Sequence, residues 1–341
     1  LVHTLKKNGY TTALAGVQHV APRAEMIGYD RILGSPAQAD SVACDFLDDT
    51  PAEPFFLSVG FFETHRKFPE SHPDDDPRYC RGPEPLPDTA DVREDMARYR
   101  ASARRLDERV GRVLGALGRN GLEHNTLVIC TTDHGIAFPE MKCNLKDGGI
   151  GVMLMMRGPG GFTGGKVCDA LVSHLDVFPT VCDVCAIETP SWLQGTSLVP
   201  LATGAAQEVR DEVFSEVNFH AAYEPKRCVR TKRYKYIRRF GSRKTQRILP
   251  NCDDSLSKSW MVERGWDKEV LPAEALYDVA LDPNESDNRV ADPDMADVLA
   301  EMRGRLDRWM KTTEDPLLEG DVPAPQGAKV NDPDGASPNE P

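Results

Sequence analysis

Apolar runs alternate with amphipathic stretches along the first 200 residues, and this alternation predicts strands and helices in turn. Residues 54–62, PFFLSVGFF, form an almost unbroken apolar run between turn residues, which is typical of a strand buried on both faces of a parallel sheet. Between 96 and 117, apolar side chains recur at three- and four-residue steps, which predicts a long amphipathic helix. Further strands are predicted at 11–15, 125–132 and 152–156. This order favours an α/β fold with a mostly parallel sheet sandwiched by helices.

The composition changes near 201–207, and the pattern beyond it is different. Short strands follow one another without intervening helices, which predicts a smaller antiparallel sheet closed by a helix near the C-terminus. A tail rich in Pro, Asp and Gly then extends to the last residue, and we expect it to be draped or disordered. We therefore divide the chain into a catalytic α/β domain, an α+β subdomain and a tail, at 1–205, 206–312 and 313–341.

The overall charge and hydropathy exclude two broad classes of function. The 341 residues carry 54 Asp and Glu against 41 Lys and Arg, a formal net charge of −13, which argues against a nucleic-acid partner. No run of eighteen apolar residues occurs, so we expect no membrane span. The chain begins at Leu1, inside a predicted helix and without a start methionine. We expect it to be the C-terminal portion of a longer protein.

Three predicted strands end in side chains suited to chemistry. These are His19, His65 and the adjacent pair Asp133 and His134. Ligands of open α/β sheets bind outside the carboxyl ends of the strands, so parallel strands would bring all four side chains to one edge. A carboxylate and an imidazole together can bind a cation. Lys142 follows closely enough to hold an anionic group at the same edge.

Four segments of the chain together resemble one enzyme family. They are GVQHVAP (16–22), SVGFFETHRKFP (58–69), DHGIAFPEMKCNLKDGGIGVMLMMRGPG (133–160) and LYDVALDPNESDN (276–288). The chain is similar to the type I, formylglycine-dependent sulfatases, and the amino-acid sequences of the second and third segments most resemble the heparan N-sulfatase branch. The resemblance extends to about residue 312. It implies an alkaline-phosphatase-like fold.

The resemblance also implies a role for each residue at the strand ends. Asp133 and His134 match two calcium ligands of the family, and Lys142 matches the lysine that holds the sulfate oxygens. His65 matches the histidine that protonates the leaving group. His19 matches the histidine that bonds to formylglycine, the oxidised Cys or Ser nucleophile. The implied reaction is hydrolysis of sulfate esters or sulfamates on a sulfated carbohydrate of the glycosaminoglycan type.

A maturation partner and a cellular location follow from the same resemblance. Formylglycine is made by a formylglycine-generating enzyme or an anaerobic maturase, so we expect one of these enzymes to be a partner of the full-length protein. A periplasmic or secreted location is expected from the family, although this chain shows no signal peptide.

The sequence departs from the family pattern at two places. The family nucleophile lies in a C/S-x-P-x-R motif, and no such motif occurs in these 341 residues. We expect it, with two further aspartate ligands, upstream of His19, so that the chain alone is inactive. Val17 occupies the position where the family usually has lysine, which removes one sulfate contact.

A basic segment interrupts this acidic chain. Residues 226–247 contain eleven Lys or Arg and no acid. One interpretation is a cationic wall beside the cleft, where Arg230 and, just upstream, His220 contact the substrate. The other is a solvated hairpin face whose apolar side chains point inward, with no role in binding.

Two other functions remain open on the sequence alone. A phosphoryl hydrolase of the alkaline phosphatase superfamily would need extra Asp and His ligands for a two-metal centre. A non-catalytic, glycan-binding relative of the sulfatases would be consistent with Val17 and with the basic segment.

Overall fold

The computed structural model describes residues 1–340 as a mixed α/β structure with three sheets. The helices are α1 Val2–Lys7, α2 Ala39–Asp48, α3 Ala90–Arg119, α4 Asp147–Ile150, α5 Val177–Val184, α6 Val199–Thr203, α7 Leu256–Val262 and α8 Ala296–Thr312. The strands are β1 Thr11–Gly16, β2 Arg31–Leu33, β3 Phe55–Gly60, β4 Val128–Thr131, β5 Leu154–Arg157, β6 Glu212–Phe219, β7 Tyr223–Thr231, β8 Tyr234–Arg239 and β9 Glu274–Asp278. No helix within these 340 residues has the length and hydropathy that a bilayer crossing requires.

The first sheet is parallel, as the apolar runs predict, and has the order β2-β1-β3. β1 is central and its residues 12–15 are fully buried. Helices α2 and α3 pack against this sheet through a cluster that includes Ala13, Phe46 and Leu117. Thr89 caps α3 by accepting a hydrogen bond from Val92 N at 3.3 Å. The amphipathic stretch predicted at 96–117 is therefore the middle of a 30-residue helix.

The strand before Asp133 differs from the prediction in its partner. β4 pairs antiparallel with β5, from Val128 opposite Arg157 to Thr131 opposite Leu154, in a two-stranded sheet of its own. The connection between them contains only the one-turn helix α4. A parallel return usually runs through a crossover helix that packs on the sheet, and the connection over 132–153 has no helix longer than α4, in keeping with the antiparallel return.

The C-terminal sheet is antiparallel, as predicted, with the order β6-β7-β8-β9. The predicted face of α8, with Leu299, Met302, Leu306 and Met310, packs on Val229, Tyr236 and Leu276 of this sheet. The tail lies along the surface: Asn331 N donates to Ala221 O at 2.8 Å, and Lys258 Nζ donates to Ala336 O at 2.7 Å. The domain limits at 205 and 312 stay predictions.

Candidate functional site

The ends of β1 and β3 bring two of the predicted histidine loops to one edge of the parallel sheet. Gly16 and Gly60 lie opposite each other, and Val17 N donates to Gly60 O at 2.8 Å. A Cβ on Gly60 would lie 1.9 Å from Val17 O, so only glycine permits this approach. His19 and His65 follow these two strands in exposed positions.

The His65 loop is held by a buried ion pair next to it. Arg66 forms a bidentate pair with Asp95 at 2.7 and 2.8 Å, and its Nε donates to Ala137 O at 2.8 Å. His65 Nδ1 lies 2.6 Å from Arg66 O. Since a carbonyl only accepts, Nδ1 carries the proton and Nε2 is the atom left for other chemistry. Arg66 thereby links the His65 loop to the segment that follows Asp133.

Asp133 and His134 lie at the end of β4 on a tightly packed turn. Gly135 N donates to Gly149 O at 2.8 Å, and a Cβ on Gly135 would lie 2.0 Å from Gly148 O. His134 Nδ1 donates to Gly135 O at 2.7 Å, which leaves Nε2 with a free lone pair. That atom lies 3.6 Å from Asp133 Oδ2. The two donor atoms therefore face the same space.

Lys142 is nearly buried, with 6% of its side chain exposed. Its Nζ donates to Asp253 Oδ2 at 2.9 Å, and the side chain of Asp253 is itself only 13% exposed. Lys142 N donates to Ile136 O at 3.1 Å, which fixes the turn that carries the side chain. The ammonium group of Lys142 is therefore already paired with Asp253 in the site.

One open cleft of about 650 Å³ brings five of the seven predicted residues together. Its wall includes Asp133, His134, Lys142, His220 and Arg230. His19 and His65 lie outside this wall, at the neighbouring sheet edge.

His65 nevertheless lies within electrostatic range of the cleft. The side chain of His220 is exposed to solvent on one side, and protein atoms surround the rest of the ring. The partial burial desolvates the imidazole and lowers its pKa from the ordinary 6.5. The charges of Lys142, His134 and His65 lower the same pKa further, and that of Asp253 raises it. The pKa of one imidazole therefore depends on the charges of four other groups, namely Lys142, His134, His65 and Asp253.

Arg230 lies in the cleft wall with its guanidinium already paired. Its Nε and one terminal nitrogen donate to Asp147 at 3.0 Å, and Lys235 also donates to Asp147. Burial acts to raise the pKa of Asp147, but the bonds from Arg230 and the charge of Lys235 hold it below its usual value. Arg230 therefore has limited capacity to bind a substrate anion directly.

Two family models match the chain. A model of the sulfatases matches residues 38–187, and a model of the C-terminal region of N-sulphoglucosamine sulphohydrolase matches residues 142–255. The human N-sulphoglucosamine sulphohydrolase is 28% identical over an alignment of length 372, gaps included, which covers 92% of this chain and 74% of that protein. An ulvan-active sulfatase of Formosa agariphila is 29% identical over 337 residues, which cover 94% of this chain and 66% of that protein.

This chain belongs to the sulfatase family. It spans just under two thirds of the ulvan-active relative. The resemblance to the sulfatases found in the sequence is thereby confirmed.

Solved structures show the same fold at lower sequence identity. A complex with D-glucosamine-2-N,6-O-disulfate superposes with a TM-score of 0.71 at 16% identity, covering 92% of this chain and 81% of that one. A phosphonate monoester hydrolase of Agrobacterium radiobacter gives 0.63 at 22% identity, covering 90% and 79%. The predicted alkaline-phosphatase-like fold is confirmed. The fold alone does not separate sulfatases from phosphonate hydrolases.

The chain supplies two donors that fit one cation, Asp133 Oδ2 and His134 Nε2. Their separation of 3.6 Å suits neighbouring positions in one coordination shell. Residues 1–340 contain no cluster of three or more His, Cys, Asp or Glu arranged to hold a metal ion. Calcium takes six to eight ligands, mostly oxygen, so the pair fits part of a calcium shell and not the whole.

The basic segment 226–247 forms neither a cationic wall nor a merely solvated face. Ten of its eleven cationic side chains have a carboxylate partner. Lys226, Arg227 and Lys235 are fully buried. Arg227 pairs with Asp315, and Lys235 pairs with Asp147 and Glu285. These partners lie far away in the sequence, so the segment alone could not reveal the pairing.

Sequence reasoning missed two residues of the cleft region. His174 lies in the wall and its Nε2 is 2.8 Å from Thr131 Oγ1, at the end of β4. The segment SHLDVFPT that contains it signals a helix start, and Ser173 and Asp176 do form a capping box there. Asp253, the partner of Lys142, lies in a loop with no motif, and no sequence signal could have identified it.

Proposed function

We propose that the protein containing this chain hydrolyses sulfate esters or sulfamates on sulfated carbohydrates. The observation that carries the proposal is the cleft in which Lys142 lies together with Asp133, His134 and His220. The substrates named for two relatives, sulphoglucosamine and ulvan, support a sulfated glycan as the substrate class. The glucosamine disulfate bound to a structural neighbour agrees with this class.

In this proposal Lys142 binds the sulfate group. One of its three N–H donors is used by Asp253, and the other two are available to sulfate oxygens. A positive charge next to the sulfate favours the approach of an oxygen nucleophile. His220 and Arg230, which lie in the same wall, contact the sugar, Arg230 through the N–H groups that Asp147 and Thr231 leave free.

His65 and His19 are assigned to proton transfer and to positioning. His65 keeps the Nδ1 proton against Arg66 O, so in its imidazolium form Nε2 carries the second proton and delivers it to the leaving oxygen or nitrogen of the sugar. His19, at the adjacent strand end, would hydrogen-bond the formylglycine nucleophile. That nucleophile is formed from a Cys or Ser by a formylglycine-generating enzyme or an anaerobic maturase. The enzyme acts in the periplasm or outside the cell.

The metal assigned to this site is calcium, held in part by Asp133 and His134. When bound, it would neutralise charge on the sulfate and on the nucleophile. Water, substrate or further protein oxygens would complete its shell. The protein's own contribution is the Gly135 turn, which orients both donors.

The test is release of sulfate by the complete gene product that contains this chain. It is incubated with N-sulfated and O-sulfated glucosamine, and with glucosamine 6-phosphate as the competing substrate. We expect sulfate release that falls by about a hundredfold or more in Lys142→Ala, because one charge contact to the transition state is lost. Phosphate release without sulfate release, together with two bound zinc ions, would establish the phosphoryl hydrolase instead. Binding of sulfated glucosamine without release of either anion would establish a glycan-binding protein.

A further inference from the structure

Asp253 approaches the cleft from a part of the chain remote from the other site residues. It lies between a short turn at Leu249–Asn251 and helix α7, 111 positions after Lys142. Its carboxylate reaches Lys142 Nζ at 2.9 Å, and both side chains are largely withdrawn from solvent. The match to the N-sulphoglucosamine sulphohydrolase C-terminal region extends over this position.

The negative charge of Asp253 acts on groups in the cleft as well as on Lys142. It raises the pKa of His220, which lines the cleft, in opposition to Lys142, His134 and His65. Any anion bound by Lys142 Nζ therefore lies within a few ångströms of a carboxylate, in a setting of reduced solvent screening. Coulomb repulsion is proportional to the ligand's charge, so a dianion is repelled twice as strongly as a monoanion.

We propose that Asp253 is a specificity-determining residue that favours monoanionic over dianionic ligands in this cleft. A sulfate ester or sulfamate carries one negative charge, and a phosphate or phosphonate monoester carries two above its second pKa. Asp253 would hold Lys142 in place for either ligand and would repel a dianion about twice as strongly as a monoanion. This inference rests on the proposed function. It states how a fold shared with a phosphonate hydrolase would select sulfate.

The test is a binding measurement that needs no turnover. Benzylsulfonate and benzylphosphonate are non-hydrolysable, similar in shape and different in charge at a pH where the phosphonate is a dianion. The monomethyl ester of benzylphosphonate is a monoanion and separates the effect of charge from that of phosphorus. Dissociation constants are measured by titration calorimetry for the wild type and for Asp253→Asn.

We expect the wild type to bind the two monoanions more tightly than the dianion. In Asp253→Asn, the ratio of dianion to monoanion affinity should rise by about tenfold, which is 1.4 kcal/mol. The matched control is Asp254→Asn, which removes the same charge one residue further on. Asp254 pairs with Lys258 and Ser337, away from the cleft wall, so this variant should keep the wild-type ratio.

Other outcomes separate this inference from the proposed function. If Asp253→Asn weakens all three ligands equally, Asp253 only anchors Lys142 and the inference is wrong. If none of the ligands binds and Lys142→Ala leaves sulfate release by the complete protein unchanged, Lys142 does not bind the sulfate group and the proposed function itself fails. Should Asp253→Asn unfold, as judged by circular dichroism, Asp253→Ser removes the charge and leaves a hydroxyl acceptor for Lys142. The same change in ratio is then expected.

Discussion

Gly16 and Gly60 lie side by side at the carboxyl ends of β1 and β3, and neither position has room for a Cβ atom. The contact lets the chain after β1 cross directly over the end of β3, with Val17 N bonded to Gly60 O. The loops that carry His19 and His65 begin immediately after this contact. The two strand ends at the site edge of the parallel sheet therefore meet through direct backbone packing.

Replacing Gly60 by alanine tests this contact. A Cβ at 1.9 Å from Val17 O forces the two strand ends apart, so we expect the free energy of unfolding to fall by about 2–3 kcal/mol. The measurement is urea denaturation followed by circular dichroism. The control is Gly111→Ala in α3, where a Cβ meets open space and alanine favours the helix. A Gly60→Ala protein as stable as the wild type would contradict the close approach.

The pair of Arg66 and Asp95 allows a second prediction about stability. Their side chains are 9% and 3% exposed, and Ser257 of α7 also donates to Asp95. Asp95→Ala leaves the guanidinium buried without its partner, which costs about 3–5 kcal/mol of unfolding free energy. In the exposed pair of Asp48 and Arg119, Asp48→Ala should leave the denaturation midpoint unchanged. Equal effects of the two substitutions would show that burial does not matter here.

The elements of the fold that could be predicted from sequence are those that depend on local pattern. The apolar run at 54–62 and the periodic face of α8 both describe burial directly, so β3 and α8 were found. The antiparallel return of β4 to β5 depends on how the connection between them folds, which has no periodic signal. The same limit applies to the basic segment, whose partners are remote in sequence.

The candidate site was predictable to a similar degree and for a similar reason. Asp133, His134 and Lys142 are near one another in sequence, and the structure brings them into one cleft. His19 and His65 share the sheet edge but not the cleft wall. Asp253 could not be found, because only the folded chain places it against Lys142.

The pKa of His220 provides a direct measurement of the charges in the cleft. Burial and the positive charge of Lys142 both lower it, so Lys142→Met should raise the His220 pKa toward 6.5. Asp253 raises the same pKa, so Asp253→Asn should lower it further. The two shifts are measured by NMR titration of the histidine ring protons. Lys146→Met, which removes a lysine that stacks on Tyr277, is the control and should leave the His220 titration unchanged.

Cation binding tests the pair of Asp133 and His134. If both donors bind one ion, His134→Ala and Asp133→Asn should each weaken calcium binding by about tenfold or more. The measurement is titration calorimetry on the complete protein after removal of bound metal. Asp169, another carboxylate of the cleft wall, supplies the control variant Asp169→Asn. Unchanged affinity in both test variants, or equal loss in the control, would place the ion elsewhere.

The role of His65 can be separated from a structural role by the choice of leaving group. His65→Ala in the complete protein should reduce hydrolysis of a sugar sulfate by about a hundredfold or more, since the sugar oxygen leaves poorly without a proton. The loss on nitrophenyl sulfate should be under about tenfold, because nitrophenolate departs without protonation. Calcium affinity should be unchanged, since His65 lies on another strand end. His72→Ala, at an exposed histidine beside Asp74, is the control and should alter neither rate. Equal losses on the two substrates would indicate that His65 shapes the site and does not act as the acid.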